Sequence, residues 1–570
     1  MNFGFRTRRQ NLAIGKSLAR VPELLSPPTF LVVALCLGAV VLAVYSPALK
    51  FQFVLDDHRF MGDPRIQSPD HVWDYFANYV WAQFTGGPPS FYRPLFILWL
   101  RINFILSAAS PWGWHLLSIA KHMTVAVLLG LLVMRLLRDR VAALIAATLF
   151  ALHPAQTESV AWVTVPDPLM SICVLGALLL YLKWAGHPGS QVQDRKSRKA
   201  LRTKRTSERN ALWLIASAAV CFAALLAKES AIILPAVIFT LALLMPRSES
   251  GHSDSGNRLV GALQQTIPFL CVTIIYLLMR IHALGGKLGS LTQHLPWSTI
   301  LLSWPAVLWF YVKVLLWPVR SRAFADPVLV ERFSVGDVLL PALGVGCAIA
   351  ILAGALFWSW KKARLDLPHD ESADVEYALV IGALLLVLPI LLTLNLNALN
   401  PGDFLHGRYT YLSSCGLMLL VATGWHLAGK MRQPLLYAAG LLALVLAALA
   451  VSQEKQWKDD LTVFTVAHQL APHNGPVAHN LANAHVQAAL QLADDGGCSE
   501  AMPVFEQVSQ EYPQDWYAWA GLGECFFQAN NLSKAEESMR KAAELSHDSR
   551  VTEQWQELRA HMGLQSSAPQ

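Results

Sequence analysis

The chain has 570 residues, of which 54% are apolar and only 15% charged, against about 25% charged in an ordinary soluble domain. The apolar residues come in long blocks, which excludes a soluble globular class and marks a membrane protein. The formal charge of +6 is modest but clustered. Arg195, Lys196, Arg198, Lys199, Arg202, Lys204, Arg205 and Arg209 crowd one loop between two apolar blocks, which reads as a cytoplasmic loop under the positive-inside bias rather than a nucleic-acid patch.

In chain order, residues 1–28 form a basic segment expected on the cytoplasmic side. The first apolar run, 30–48, is long enough to span and has no small-residue cleavage site, so it reads as an anchor. Crossings are expected near 29–48, 115–134, 140–153, 167–184, 211–227, 230–246, 264–283, 336–358, 376–394, 411–428 and 433–451, about eleven in all. The segments 94–108 and 297–318 are apolar but interrupted by Arg101, Pro305 and Lys313, and are read as interfacial or re-entrant. With the N-terminus inside, the basic turns at 135–140, 185–210, 247–258, 361–364 and 430–432 all fall inside. The loop 49–93, the turn 153–167, Lys228-Glu229, 284–335 and 395–410 then fall outside. Six of the eight cysteines lie in or beside apolar blocks, no CxxC spacing occurs, and a disulfide framework is not expected.

Residues 454–570 change character from apolar blocks to amphipathic helices. Trp519, Leu522, Gly523, Phe526, Ala535, Met539, Ala542 and His547 fall at the offsets of a tetratricopeptide repeat of about 34 residues. Ala501, Phe505, Val508 and Pro513 supply the second half of the preceding repeat, with an insertion around 494–497. Phe464, Ala467 and Pro472 close a still earlier unit. So short an array is expected to lean on the membrane domain for its first cap.

Several polar groups on the outer side carry chemistry. Asp56-Asp57 follow the first span. One can act as a general base toward an acceptor hydroxyl; the pair could also hold a divalent cation such as Mg or Mn. Arg408 and Arg93 are candidates for a donor phosphate, because a guanidinium offers paired donors to phosphate oxygens. His153 and Glu158 read as a turn that supports the acid pair. Lys228-Glu229 read as a local pair at a span end. His115, beside the second span, and Tyr409 are further supporting candidates.

The series Asp56-Asp57, Tyr92-Arg93-Pro94-Leu95, His153-Pro154 with Glu158 and Val160-Ala161-Trp162, Lys228-Glu229-Ser230, and Arg408-Tyr409-Thr410-Tyr411-Leu412 resembles the transmembrane and tetratricopeptide repeat O-mannosyltransferase family. The resemblance implies an all-α polytopic bundle of GT-C type over 29–453, followed by an extracytoplasmic repeat array. It implies a catalytic acid at Asp56 or Asp57 and a polyprenyl- or dolichyl-phosphate sugar as donor. The acceptor would be an extracytoplasmic protein or glycan, met by the repeats, and a bacterial inner membrane is the expected location. Two other functions fit the same features: a membrane-anchored repeat scaffold without catalysis, and a lipid-linked glycan ligase or polymerase.

Overall fold

The computed structural model describes residues 27–83, 90–186, 203–244, 255–287, 294–319, 329–399, 405–546 and 549–562, and the regular structure in them is helical throughout. Most of the basic loop at 195–209, together with Asp403 and His547, lies outside the described residues.

Seven described helices are long and apolar enough to cross a membrane: Pro111–Leu137, Asp167–Trp184, Arg258–Ala283, Trp297–Leu316, Val335–Asp366, His369–Leu392 and Gly429–Trp457. The chain is a multi-pass membrane protein. Six of them fall on expected crossings and the seventh, Trp297–Leu316, on a segment expected to be interfacial or re-entrant. The expected crossings near 29–48, 140–153, 211–227 and 230–246 fall on the shorter apolar helices Ala34–Lys50, Arg140–Leu152, Ala211–Ala227 and Glu229–Leu244, and that near 411–428 on the 16-residue Tyr411–His426.

Side-chain contacts define two ends of the bundle. At the lower end Arg138 pairs with Asp374 at 2.8 Å and Asp139 with His426 at 2.8 Å, while Tyr377 donates to Leu244 O at 3.4 Å. At the upper end Arg93 meets Glu229, Lys228 meets Asp167, and Glu158 meets His406. Helix α1 (Pro94–Ser107) begins beside Arg93. It ends at Ala108, whose carbonyl accepts from Trp114 Nε1 at 2.8 Å, and Trp114 packs edge-on against Phe53 of the first loop. Helix α2 (Trp297–Leu316) is preceded by Leu295, which donates to Asn397 Oδ1 at 2.8 Å. Near its end Leu315 O takes the Nε2 hydrogen of His153 at 3.1 Å. Both helices make upper-end contacts near each of their ends, and Trp297–Leu316 is at the same time long and apolar enough to cross a membrane.

Helices α3 (His369–Leu392) and α4 (Tyr411–His426) approach most closely through glycines. A Cβ on Gly416 would strike Leu386 N and Gly382 O, and one on Gly382 would strike Leu420. Without a hydrophobic driving force in lipid, such small-residue contacts supply much of the packing. Gly416→Leu is therefore expected to cost ~1–3 kcal/mol by overpacking, read as a lower thermal midpoint in detergent or nanodiscs.

The C-terminal region is a run of paired helices: α5 (Asp460–Leu470), α6 (Gly475–Asp494), α7 (Cys498–Glu511), α8 (Trp516–Gln528), α9 (Leu532–Leu545) and α10 (Ser549–His561). The repeat offsets translate into packing as the sequence pattern requires. Ala535 and Ala542 are fully buried, and a Cβ on Gly523 would lie 2.5 Å from Met539 Cγ. The insertion at 494–497 falls at the end of α6 and the turn into α7. The first cap is the membrane domain itself. Val463, Phe464 and Ala467 of α5 share an apolar cluster with Phe51, Val54 and Trp162.

Cysteine reading fell short here. Cys498 and Cys525 form a disulfide between α7 and α8, with a Cα–Cα distance of 5.2 Å and a sequence separation of 27. They lie outside the apolar blocks, 27 residues apart and in no motif spacing, so only the fold brings them together. Substituting both by Ser is expected to cost the repeats ~2–4 kcal/mol, seen as a lower unfolding midpoint of the repeat region.

Candidate active site

The first loop leaves the bundle after the helix Pro27–Tyr45 and a short turn over Ser46–Lys50. The acid pair opens a six-residue helix, Asp56–Met61, so both carboxylates sit in its first turn, where the helix dipole favours negative charge. The two acids have different surroundings. Asp57 is fully buried. Its Oδ2 accepts from Val54 N at 3.1 Å, and its Oδ1 takes Thr164 N at 3.2 Å and Thr164 Oγ1 at 2.6 Å. Asp56 is half-buried. Asp57 therefore anchors the loop to the 153–167 turn, and Asp56 is the acid with access to solvent.

Burial pushes the Asp57 carboxyl up to about 7, against the pull of the Thr164 and Val54 donors. The folded chain thus keeps a proton on Asp57 at pH values where the unfolded chain, with a carboxyl near 3.8, has released it. Folding then binds a proton, so stability falls as pH rises from about 4 to about 7 and levels off above. Asp57→Asn removes this titration. Thermal midpoints measured across that window are expected to fall with pH in the natural chain and to flatten in the variant.

Glu158 forms the second anchor. It is 2% exposed. Its Oε1 faces His406 Nδ1 at 2.8 Å, and its Oε2 accepts from Arg408 N at 3.0 Å. The Arg408 guanidinium is held by stacking, 4.3 Å above the Trp162 ring centroid, with Nε 3.8 Å from Glu158 Oε1. A Cβ on Gly407 would come within 3.2 Å of Glu158 Oε2, so glycine lets the carboxylate reach the backbone. His153 supports the same turn: Ala155 N donates to its Nδ1 at 3.2 Å, leaving Nε2–H for Leu315 O. Burial lowers its pKa to about 4, which keeps the ring neutral.

Two expectations change. Lys228 and Glu229 do not pair with each other. Extended backbone at Lys228 sends them apart: Lys228 Nζ binds Asp167 Oδ1 at 2.6 Å, and Glu229 takes the Arg93 fork at 2.9 and 2.5 Å. Arg93 is consequently engaged on both arms by a carboxylate. Lys228 also lies 5.0 Å from the Tyr409 ring centroid, and Tyr409 packs edge-on against His406. Thus Asp167, Lys228, Tyr409, His406, Glu158 and Arg408 form one chain of contacts. His115 is buried and packs edge-on against Phe51, supporting the loop from below.

The sequence places His406 in the outer 395–410 loop without a partner, and it does not show Thr164, Asp167 as an ion-pair partner, or Lys121. Lys121 is buried in the helix Pro111–Leu137, within electrostatic reach of both Asp57 and Asp167. A lysine within an apolar stretch is itself a signal of function, and it stands in the sequence between Ala120 and His122. Among the described residues no group of three or more His, Cys, Asp or Glu is arranged to hold a metal ion.

Fold and site together define a polytopic helical membrane protein whose upper end joins an acid-bearing loop to tetratricopeptide helices. The family model described as "Tetratricopeptide repeat" matches residues 492–562. Over most of its length the chain is similar to protein O-mannosyl-transferases. It is 25% identical over 532 residues to Protein O-mannosyl-transferase TMTC3 of Mus musculus, covering 89% of this chain and 54% of that protein. It is 32% identical over 150 residues to Protein O-mannosyl-transferase TMTC2 of Mus musculus, covering 26% of this chain and 18% of that protein. The chain spans about half the length of the curated relatives it matches over most of its own. Among solved structures it is similar to the apo oligosaccharyltransferase of Archaeoglobus fulgidus, with a TM-score of 0.42 and 12% identity over 80% of this chain and 60% of that one.

Proposed function

We propose that this chain is a GT-C type glycosyltransferase that moves a sugar, mannose by analogy with its relatives, from a polyprenyl- or dolichyl-phosphate donor to a protein hydroxyl. The observation that carries the proposal is the placement of a half-buried Asp56 on a loop locked by Asp57, at the same end of the bundle as Arg408 and Lys228. In the reaction the acceptor oxygen attacks the anomeric carbon, the bond from that carbon to phosphate oxygen breaks, and the hydroxyl proton passes to Asp56. The phosphate leaves with its charge on the lipid carrier, where Arg408 and the buried Lys121 supply compensating cations. Asp57 holds the base in place. Its oxygens are taken by protein donors, which favours a positioning role over metal binding.

The proposed orientation puts the upper end outside the cytoplasm, with about eleven crossings. It is supported by the basic residues Arg135, Arg138, Arg364 and Arg432 at the lower end, and by a disulfide in the repeats, a bond that persists in oxidising compartments. A bacterial inner membrane with a periplasmic site accommodates both. The repeats would then bind an extended peptide beside the acid pair.

The test is transfer of labelled mannose from dolichyl-phosphate mannose to a Ser/Thr-rich peptide by the full chain in nanodiscs. Absence of transfer with both dolichyl and undecaprenyl carriers overturns the proposal. Deletion of 455–570 separates it from the scaffold reading: a scaffold loses its role with the repeats yet tolerates Asp56→Asn.

A further inference from the structure

The acid loop is held from a second direction, by the repeats. Leu55, directly before Asp56, has φ 56 and ψ −126, a conformation that L residues other than glycine adopt only when their surroundings impose it. The imposing group is Asp460 at the start of α5. Leu55 N–H donates to Asp460 Oδ1 at 2.8 Å, and the other oxygen, Oδ2, faces His58 Nε2 at 3.0 Å. One step earlier, Gln52 N–H donates to Lys458 O at 2.9 Å. Asp460 is not needed as the cap of its own helix. That task falls to Asp459, whose Oδ1 takes Thr462 N and Thr462 Oγ1 at 2.8 and 2.6 Å. Of two adjacent aspartates, one closes the helix and the other reaches across to the loop. Phe464 on the next turn of α5 is buried in the cluster with Phe51 and Val54, so α5 and the loop share a core.

We propose that Asp460 is a positioning residue for the acid pair: it fixes the turn at Leu55 and with it the carboxylate of Asp56, so that the first repeat helix sets the geometry of catalysis. This rests on the transferase reading above. It adds that the repeat array is part of the catalytic unit through one carboxylate, beyond any part it takes in holding the acceptor. Nothing in the arrangement requires Asp460 to touch substrate.

The experiment uses the full chain in nanodiscs with Asp460→Ala and Asp460→Asn, assayed for transfer and for amide exchange over residues 51–58. Asp460→Ala is expected to lower kcat ~10- to 100-fold, the range of an ångström-scale misplacement, with acceptor KM within about twofold and faster exchange over 51–58. Asp460→Asn keeps an oxygen for Leu55 N–H and is expected to restore most of both. Natural kcat in Asp460→Ala, or an Asn variant as slow as Ala, overturns the proposal. If the natural chain shows no transfer at all, the function reading fails separately, and unchanged exchange in Asp460→Ala overturns the positioning role without reference to activity.

Discussion

Asp56→Asn is expected to reduce sugar transfer by ~10²- to 10⁴-fold, the usual worth of a general base, while the chain stays folded. Asparagine has nearly the same shape, and Asp56 is the half-buried member of the pair, so little packing is at stake. The neighbouring change should behave differently. Asp57→Asn replaces one carboxylate oxygen by an NH2 group in a buried site where both oxygens accept hydrogen bonds. One of those contacts becomes donor against donor, and the loop loosens. A pair of equal partners in a metal site would fail alike in both variants. A base beside an anchor predicts loss of kcat in a stable protein for Asp56→Asn, and loss of kcat together with a lower thermal midpoint for Asp57→Asn. Purified variants, assayed at saturating donor and followed by thermal unfolding, distinguish the two patterns. Natural activity in Asp56→Asn would remove the residue from the chemistry.

Glu158→Ala is expected to be the most destabilising single change at the site, at ~3–5 kcal/mol, the cost of stripping one partner from a buried pair. The carboxylate is 2% exposed and faces His406, 1% exposed, at 2.8 Å. It also satisfies the Arg408 backbone N–H. Removing it takes a partner from both groups and leaves a cavity below the Trp162–Arg408 stack. Glu158→Gln keeps the size and one acceptor oxygen, and should cost less than half as much. Thermal unfolding of both variants reads this directly. Equal midpoints for Ala and the natural chain would show that the 405–410 segment is held by other contacts.

Much of the architecture was legible along the chain. Long apolar blocks cannot be soluble, because their burial demands either lipid or a far larger core. Small and large residues at fixed offsets over 519–542 dictate helix pairs that cross closely, and Gly523 against Met539 is that rule realised. The position of Asp56-Asp57 after a long apolar run placed the acids at the end of a helix bundle. These features depend on local periodicity and composition, which a sequence displays without knowledge of partners.

What the fold alone decided is who meets whom. Lys228 and Glu229 look like a pair in sequence, yet extended backbone sends each to a separate partner, Asp167 and Arg93. The ends of the two helices over 94–107 and 297–316 find their partners, Trp114, Asn397 and His153, only in the folded chain. Cys498 and Cys525 carry no motif and are joined because α7 and α8 pack side by side. The acid pair is sharpened most of all: identical neighbours in sequence, Asp57 and Asp56 are an anchor and an accessible acid. Thr164, 107 residues further on, binds one, and Asp460, 405 residues beyond Leu55, shapes the turn that carries the other. Sequence fixes the periodic faces of helices; long-range hydrogen bonds between polar groups follow from packing those faces together, and so appear only in three dimensions.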